Sequence, residues 1–239
     1  MKINCIGDSL TYGNVGYSYL NFLDKRICTV NYGKNGDTLR GVYKRVKKVM
    51  RNPKKDSQLY ILGIGTNDLF LPYLKSVSIY WNVQMSIRCK IKRCIEEDKV
   101  FYKEYEELLS LLYKRNKNVI IFGIPFINLK NFPHQRLIER NANMQDLANK
   151  YGYAFIDIYN LQKDKIRKDS KEYSWKYRFI VRVVDAIIMS LFPYSKDWFA
   201  KFRGLTTSVD GVHLNSVSAK ILAAEIEKEI SPSYKSIIF

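Results

Sequence analysis

Five short runs rich in Ile, Val and Tyr punctuate the chain, at residues 2–6, Ile27–Tyr32, Leu59–Ile64, Asn118–Phe122 and Ala154–Ile158. None alternates strictly between apolar and polar positions, which is the pattern of strands covered on both faces. Helical periodicity fills the intervals. Over Thr38–Arg51, Leu39, Val42, Val46, Val49 and Met50 share one side, while Arg40, Lys44, Arg45, Lys47, Lys48 and Arg51 share the other. A last helix is predicted over Ser216–Ile230, with Asn215 or Ser216 as its cap and Val217, Ile221, Leu222, Ala224 and Ile226 as its apolar stripe. Strands alternating with helices predict an α/β fold around a mainly parallel five-stranded sheet.

Two segments exceed that alternation. Residues Leu69–Ile95 carry Tyr73, Tyr80, Trp81, Arg88, Lys90, Lys92 and Arg93, and are read as one extra helix. Residues 160–205 intervene before the C-terminal motif and are read as a lid or insertion within one domain spanning 1–239. Inside them, Arg178–Phe192 is apolar except for Arg178, Arg182, Asp185 and Ser190. On a helix, Arg178, Arg182 and Asp185 form one narrow polar stripe beside a wide apolar surface. Core, lid and interface are all open for it, core being the commonest fate of such a helix.

Composition narrows the class. Of 239 residues, 46% are hydrophobic and 26% charged, which excludes disorder and fibrous repeats. Forty Lys and Arg against twenty-three Asp and Glu give a net charge of +17. That excess fits an anionic partner, but it equally fits a lysine-rich coding sequence, because charge balance bears on solubility before activity. The four cysteines (Cys5, Cys28, Cys89, Cys94) form no Cys-x-x-Cys pair, and only two histidines occur, so zinc ligation is not expected. No basic-then-apolar leader and no apolar run of membrane-spanning length is visible, which predicts a cytoplasmic protein with reduced thiols.

Four motifs carry candidate chemistry: Gly7-Asp8-Ser9-Leu10-Thr11, Asn35-Gly36-Asp37, Gly65-Thr66-Asn67-Asp68 and Asp210-Gly211-Val212-His213-Leu214-Asn215. The first three follow predicted strand ends, where an open α/β sheet forms its ligand crevice. Ester cleavage needs a nucleophile, a base to take its proton, and donors for the oxyanion. Ser9 at a strand-to-helix turn is the candidate nucleophile and His213 the candidate base. Asp210, three residues upstream, is close enough to hold the imidazole Nδ1 through a local turn. Taken singly, each has an ordinary structural use: Gly-Asp-Ser and Asp-Gly are turn sequences, Asn67-Asp68 suits a helix cap, and His213 could be a buried imidazole. Their order along the chain sets the enzyme reading above those uses.

The four motifs in this order resemble the SGNH, or GDSL, hydrolases: serine esterases, lipases, carbohydrate deacetylases and related acyl-processing enzymes. The resemblance is weak over 69–115 and 160–205. It implies a three-layer α/β/α sandwich of flavodoxin-like strand order and no cofactor. It also assigns the oxyanion hole to the backbone N–H groups of Ser9 and Gly36 and the side-chain amide of Asn67. The expected partner is then a small-molecule, carbohydrate or lipid acyl ester, with acyl transfer and hydrolysis both open.

Two other readings stand beside this one. A binding protein could use the basic, aromatic surface for an anionic polymer or lipid. Alternatively, residues 160–205 could dock the enzyme on a membrane and give a lysophospholipase-like activity. Within 171–203, Tyr173, Trp175, Tyr177, Trp198, Phe199 and Phe202 interleave with Lys176, Arg178, Lys201 and Arg203, a mixture that suits stacked single strands or a lipid surface. No recognised nucleic-acid-binding motif accompanies it, so no specific nucleic acid is expected. The sequence leaves the oligomeric state open.

Overall fold

A computed structural model describes residues 2–166, 172–176 and 179–230. Its centre is a parallel sheet of β1 (Ile3–Gly7), β2 (Thr29–Gly33), β3 (Leu59–Gly63), β4 (Asn118–Phe122) and β5 (Ala154–Ile156), in the order β2-β1-β3-β4-β5. That is the flavodoxin-like order, which reverses direction beside β1 and opens a crevice at the strands' carboxyl ends. The register aligns Gly7 with both Gly33 and Gly63, so three glycines stand side by side at that edge.

Strand period sorts the apolar residues onto two faces. Ile6, Tyr60, Leu62, Val119 and Ile121 pack with α2 (Leu39–Met50), α5 (Asp98–Lys114) and α6 (His134–Lys150), through Leu39, Val42, Phe101, Leu108, Leu137 and Met144. Ile3, Cys5, Ile61, Ile120 and Phe122 pack on the opposite side with Leu222, Ala223 and Ile226 of α10 (Ser216–Glu229). The result is the expected three-layer sandwich. Asn215 caps α10 by accepting a hydrogen bond from Ser218 N at 3.1 Å.

Some boundaries differ from the sequence reading for local reasons. The second strand starts at Thr29 rather than Ile27, and the fifth ends at Ile156 rather than Ile158. Asp157 accepts from Asn160 N at 3.1 Å, which caps α7 (Ile158–Lys163) and stops the strand. The single extra helix read over 69–95 is two, α3 (Thr66–Val77) and α4 (Ile79–Lys92). Ser78 between them is extended, and its hydroxyl caps the second by accepting from Trp81 N.

The helix read over 178–192 is present as α8 (Phe179–Leu191), followed by α9 (Ser195–Phe202); Tyr177 and Arg178 lie outside the described residues. Of the three fates open to it, core, lid or interface, core is the commonest, and the structure does not bury its wide apolar surface. Arg182 and Asp185 point inward and are buried, whereas Ile180, Val184, Ile187 and Leu191 are exposed. The polar stripe is therefore the inner face. Tyr173 and Trp175 are likewise buried and not available for stacking on a nucleic acid, while Trp198 and Phe202 are exposed and stacked at 5.2 Å.

Candidate active site

Three turns at the carboxyl edge of the sheet, and one loop from far along the chain, meet in a single cleft. β1 passes through Asp8 into α1 (Ser9–Tyr12), a one-turn helix whose first residue is Ser9. Asp8 fixes the turn by accepting from Leu10 N at 2.9 Å. The loop after β2 holds Gly36 at φ +62°, a left-handed conformation that glycine adopts without strain. Asn67 is the second residue of α3, directly after β3.

The fourth component is the 206–215 loop. Ser208 and Leu214 form an antiparallel bridge, and Val209 N donates to His213 O at 2.8 Å, so the backbone doubles back between them. That reversal places Asp210 beneath His213. Asp210 Oδ1 accepts from the backbone N–H groups of Val212 at 3.0 Å and His213 at 2.8 Å. Its other oxygen, Oδ2, meets His213 Nδ1 at 2.7 Å. Across the cleft, His213 Nε2 meets Ser9 Oγ at 3.0 Å, joining residues 204 positions apart. Hydroxyl, imidazole and carboxylate thus form one hydrogen-bonded chain.

Asp210 is fully buried, which by itself raises a carboxyl pKa. The Arg182 guanidinium and the His213 imidazole outweigh that burial and hold it well below the ordinary carboxylate range. Arg182 pairs with both Asp210 and Asp185, lies over the Trp175 ring at 4.7 Å, and Arg203 pairs with Asp185 from the other side. Trp175 Nε1 donates to Asp210 O at 2.9 Å. The sequence reading missed Arg182 as a site residue, although the polar stripe on an apolar helix was its signal. Trp175 had no comparable signal.

Gly36 and Asn67 line the same cleft as Ser9 and His213. Asn67 Nδ2 donates to Asp8 Oδ2 at 3.1 Å and to Asp37 O at 2.9 Å, so its amide is held facing Asp8 and the Gly36 loop. Burial pushes the Asp8 carboxyl up to about 6 against the Leu10 N–H and the nearby imidazole. Asp68 anchors structure, as expected for a turn residue: it accepts from Leu39 N and Ile95 N, both at 2.9 Å. His134 lies apart from the site, stacked on Phe126 with ring centroids 4.8 Å apart.

The cleft has a volume of about 570 Å³, within the usual range for small-molecule sites. Beyond Ser9 its walls are mainly apolar, with Phe70, Leu74 and Met85 on one side and Phe179, Val183 and Ile187 of α8 on the other. Asn14, Asn35, Gln84, Arg88, Arg182 and Ser190 supply the polar part of the lining. Among the described residues no cluster of three His, Cys, Asp or Glu could hold a metal ion, and no helix is long and apolar enough to cross a membrane.

The sheet order and the cleft at its carboxyl edge fit an ester-cleaving α/β hydrolase, and a family match carries that assignment. The chain belongs to the GDSL-like lipase/acylhydrolase family, whose model matches residues 3–226. Among solved structures it is similar to a lipase/acylhydrolase from Enterococcus faecalis, at 19% identity over 96% of this chain and 94% of that one, with a TM-score of 0.59. A lipolytic protein of the G-D-S-L family from Veillonella parvula matches at 16% identity over 97% and 99%, with a TM-score of 0.59. An acetylxylan esterase from Geobacillus stearothermophilus matches at 16% identity over 96% and 94%, with a TM-score of 0.58. At these identities the three support the fold. Comparison with curated proteins by sequence finds no significant match.

Proposed function

We propose that this protein is a serine esterase that carries the acyl group on Ser9 and takes esters with an apolar acyl chain of several carbons. The observation behind the reading is the continuous Ser9–His213–Asp210 chain opening onto apolar walls. In the proposed reaction His213 Nε2 removes the Ser9 proton as Oγ attacks the ester carbonyl. Asp210 holds the imidazole by Nδ1 and stabilises the imidazolium that forms. The backbone N–H groups of Ser9 and Gly36, with the Asn67 amide, take the oxyanion. The imidazolium then returns its proton to the leaving alcohol, and water activated by the same imidazole releases the acid.

The walls bear on substrate class. A deacetylase acting on carbohydrate, as the acetylxylan esterase among the similar structures is named, has little use for a cleft walled by Phe70, Leu74, Met85, Phe179 and Val183. Burying each methylene of an acyl chain there contributes about 0.8 kcal/mol. Turnover of p-nitrophenyl esters from acetate to decanoate is expected to rise in kcat/KM toward six to ten carbons. Ser9→Ala is expected to abolish both turnover and labelling by a fluorophosphonate. Equal rates in wild type and Ser9→Ala would remove Ser9 from the mechanism, and a maximum at acetate would favour the deacetylase.

A second reading, substrate presented at a lipid surface, is favoured by where the apolar exposure falls. Among the described residues, fifteen of the nineteen exposed large apolar side chains lie within residues 79–91 and 180–202. On α4 they are Ile79, Tyr80, Val83, Ile87 and Ile91, one helical stripe alongside the cleft-lining Gln84 and Arg88. Those of α8 likewise include the cleft-lining Val183, Ile187 and Leu191. Two such faces flanking one cleft suit burial in the outer layer of a membrane. Flotation with phosphatidylglycerol vesicles, lost in Ile87→Glu combined with Ile187→Glu, is the expected result; wild type that stays with the soluble fraction removes this reading.

A further inference from the structure

Two arginines line the cleft, and they differ in one respect. Arg182 is paired with Asp185 and Asp210. Arg88, among the described residues, has no hydrogen bond or ion pair with any protein group. Its position is nevertheless constrained. The guanidinium lies over Gly36, so close that a methyl group built on that glycine would come within 2.1 Å of Nη2 and 3.1 Å of Nε. Arg88 therefore stands beside the loop that is proposed to supply an oxyanion donor.

The surroundings do not neutralise this charge. α4, which carries Arg88, has no Asp or Glu among its fourteen residues. Lys92 lies one turn further along α4 and, from the loop after β2, Lys34 adds a second cation to this neighbourhood, while the nearby Asp37 is already held by Arg45. Burial lowers the Lys92 ammonium pKa; Asp37 opposes that shift, while Lys34, Arg88 and Arg45 add to it as like charges. A cation without a protein partner, beside other cations and at the edge of a mainly apolar cleft, attracts an anionic group that enters the cleft. A guanidinium meets phosphate or carboxylate through two parallel N–H bonds, which adds geometry to charge.

Resting on the proposed acyl-ester activity, we infer that Arg88 binds an anionic group on the alcohol half of the substrate, a phosphate or carboxylate a few bonds from the scissile ester. The apolar walls take the acyl chain, and the alcohol half faces Asn35, Gly36 and Arg88. The preferred substrate is then an anionic amphiphile rather than a neutral ester.

The test compares 1-octanoylglycerol 3-phosphate, octanoyl glycolate and neutral 1-octanoylglycerol, all below their micelle concentrations. Wild type, Arg88→Lys, Arg88→Ala and Arg88→Glu are assayed, each normalised to the fraction labelled by fluorophosphonate. The ratio of kcat/KM for a charged over the neutral ester is expected to be about tenfold in wild type. It should fall to about one in Arg88→Ala, reverse in Arg88→Glu and return in part in Arg88→Lys, with the change mainly in KM. Wild-type preference should also shrink as ionic strength rises. Whichever charged ester shows the preference identifies phosphate or carboxylate as the anion. A ratio near one in the labelled wild type, or Arg88→Ala lowering charged and neutral esters alike, overturns the assignment while leaving Ser9 in place. Absence of both labelling and turnover overturns it together with the esterase reading.

Discussion

Arg182 of α8 and Asp210 of the C-terminal loop form an ion pair in the interior, both side chains almost wholly shielded from solvent. The pair belongs to a balanced cluster in which Arg203, Asp185, Arg182 and Asp210 follow one another, two cations against two carboxylates. This balance is what allows a fully buried Asp210 to stay ionised beneath His213, because an isolated buried carboxylate would neutralise instead. The same helix supplies Phe179, Val183 and Ile187 to the wall of the cleft. Seating of α8 therefore links the shape of the acyl site to the charge state of the proposed acid.

Removing that cation should affect both stability and rate. Arg182→Met leaves Asp185 and Asp210 sharing less positive charge in the interior, a change that costs about 3–5 kcal/mol when one partner of a buried pair is lost. The Asp210 carboxyl should rise toward the ordinary range, weakening its hold on the imidazole. An expected fall of about tenfold in kcat, with about 1.4 kcal/mol of lost transition-state stabilisation, should be larger at pH 5 than at pH 8. Arg182→Lys should recover part of it. Paired pH–rate profiles and urea unfolding check this; a kcat equal to wild type at pH 5 would show that Arg182 serves stability alone.

The parts of this architecture legible in the sequence were those governed by short-range rules. Strand ends followed by Gly7, Gly36 and Gly65 marked the carboxyl edge of the sheet, because a parallel α/β fold has one place for such turns. The Asp210–His213 spacing foretold a local turn, and the structure closes it with a bridge between Ser208 and Leu214. Ser78 is a local break, its hydroxyl capping α4 through Trp81 N three residues on, but a lone serine between two helical patterns does not announce it. The orientation of α8 was also illegible: a wide apolar surface with a narrow charged stripe normally faces inward by its apolar side. Here the stripe turns inward because Asp210, 28 residues away, offers it a buried partner. Arg88 over Gly36 brings α4 against the loop after β2, residues 52 positions apart, and carried no sequence signal beyond its charge.

Buried Asp68 predicts a pH effect of definite sign. Burial pushes its carboxyl from 3.8 up to about 6, despite N–H donation from Ile95 and Leu39 and the nearby charges of Arg140 and Arg40. Below about pH 4 the carboxyl is protonated in both folded and unfolded chains, and its contribution is complete. Between about 4 and 6 the unfolded chain loses the proton first, so folding stability declines, and above 6 the loss is constant. Asp68→Asn cannot titrate. The stability of wild type relative to Asp68→Asn should therefore fall by on the order of 2 kcal/mol from pH 4 to pH 7. Urea unfolding of both proteins across that range measures it, and a difference that stays flat or rises with pH contradicts the assignment.

Ala186 gives direct access to the acyl wall. It lines the cleft on α8 between Val183 and Ser190, where a larger side chain would project into the space proposed for the acyl chain. Ala186→Phe should lower the ratio of octanoate to acetate turnover by about tenfold, the effect of excluding two or more methylenes at about 0.8 kcal/mol each. Chain-length profiles of the two proteins test this. An unchanged ratio would place the acyl chain elsewhere.

Asn67 separates rate from binding most clearly. Its amide is already engaged by Asp8 and by the Asp37 carbonyl, which fixes its direction before substrate arrives. Both Nδ2 hydrogens are thus engaged in the free protein, and one is shared with the carbonyl oxygen as charge develops there; removing one such donor lowers kcat by about 10²–10³. Asn67→Ala should show that loss with little change in KM, because the interaction strengthens only as the oxyanion forms. The same substitution leaves the buried Asp8 carboxyl with one donor fewer, so a stability loss of about 1–3 kcal/mol should accompany it. Asn67→Asp should be worse on both counts, since a second carboxyl beside Asp8 must either repel it or hold a proton. Single-turnover acylation of octanoate, read beside the unfolding midpoint, distinguishes the two effects. If acylation stays at the wild-type rate in folded Asn67→Ala, the amide serves only to brace Asp8, and the oxyanion is met by the backbone N–H groups of Ser9 and Gly36.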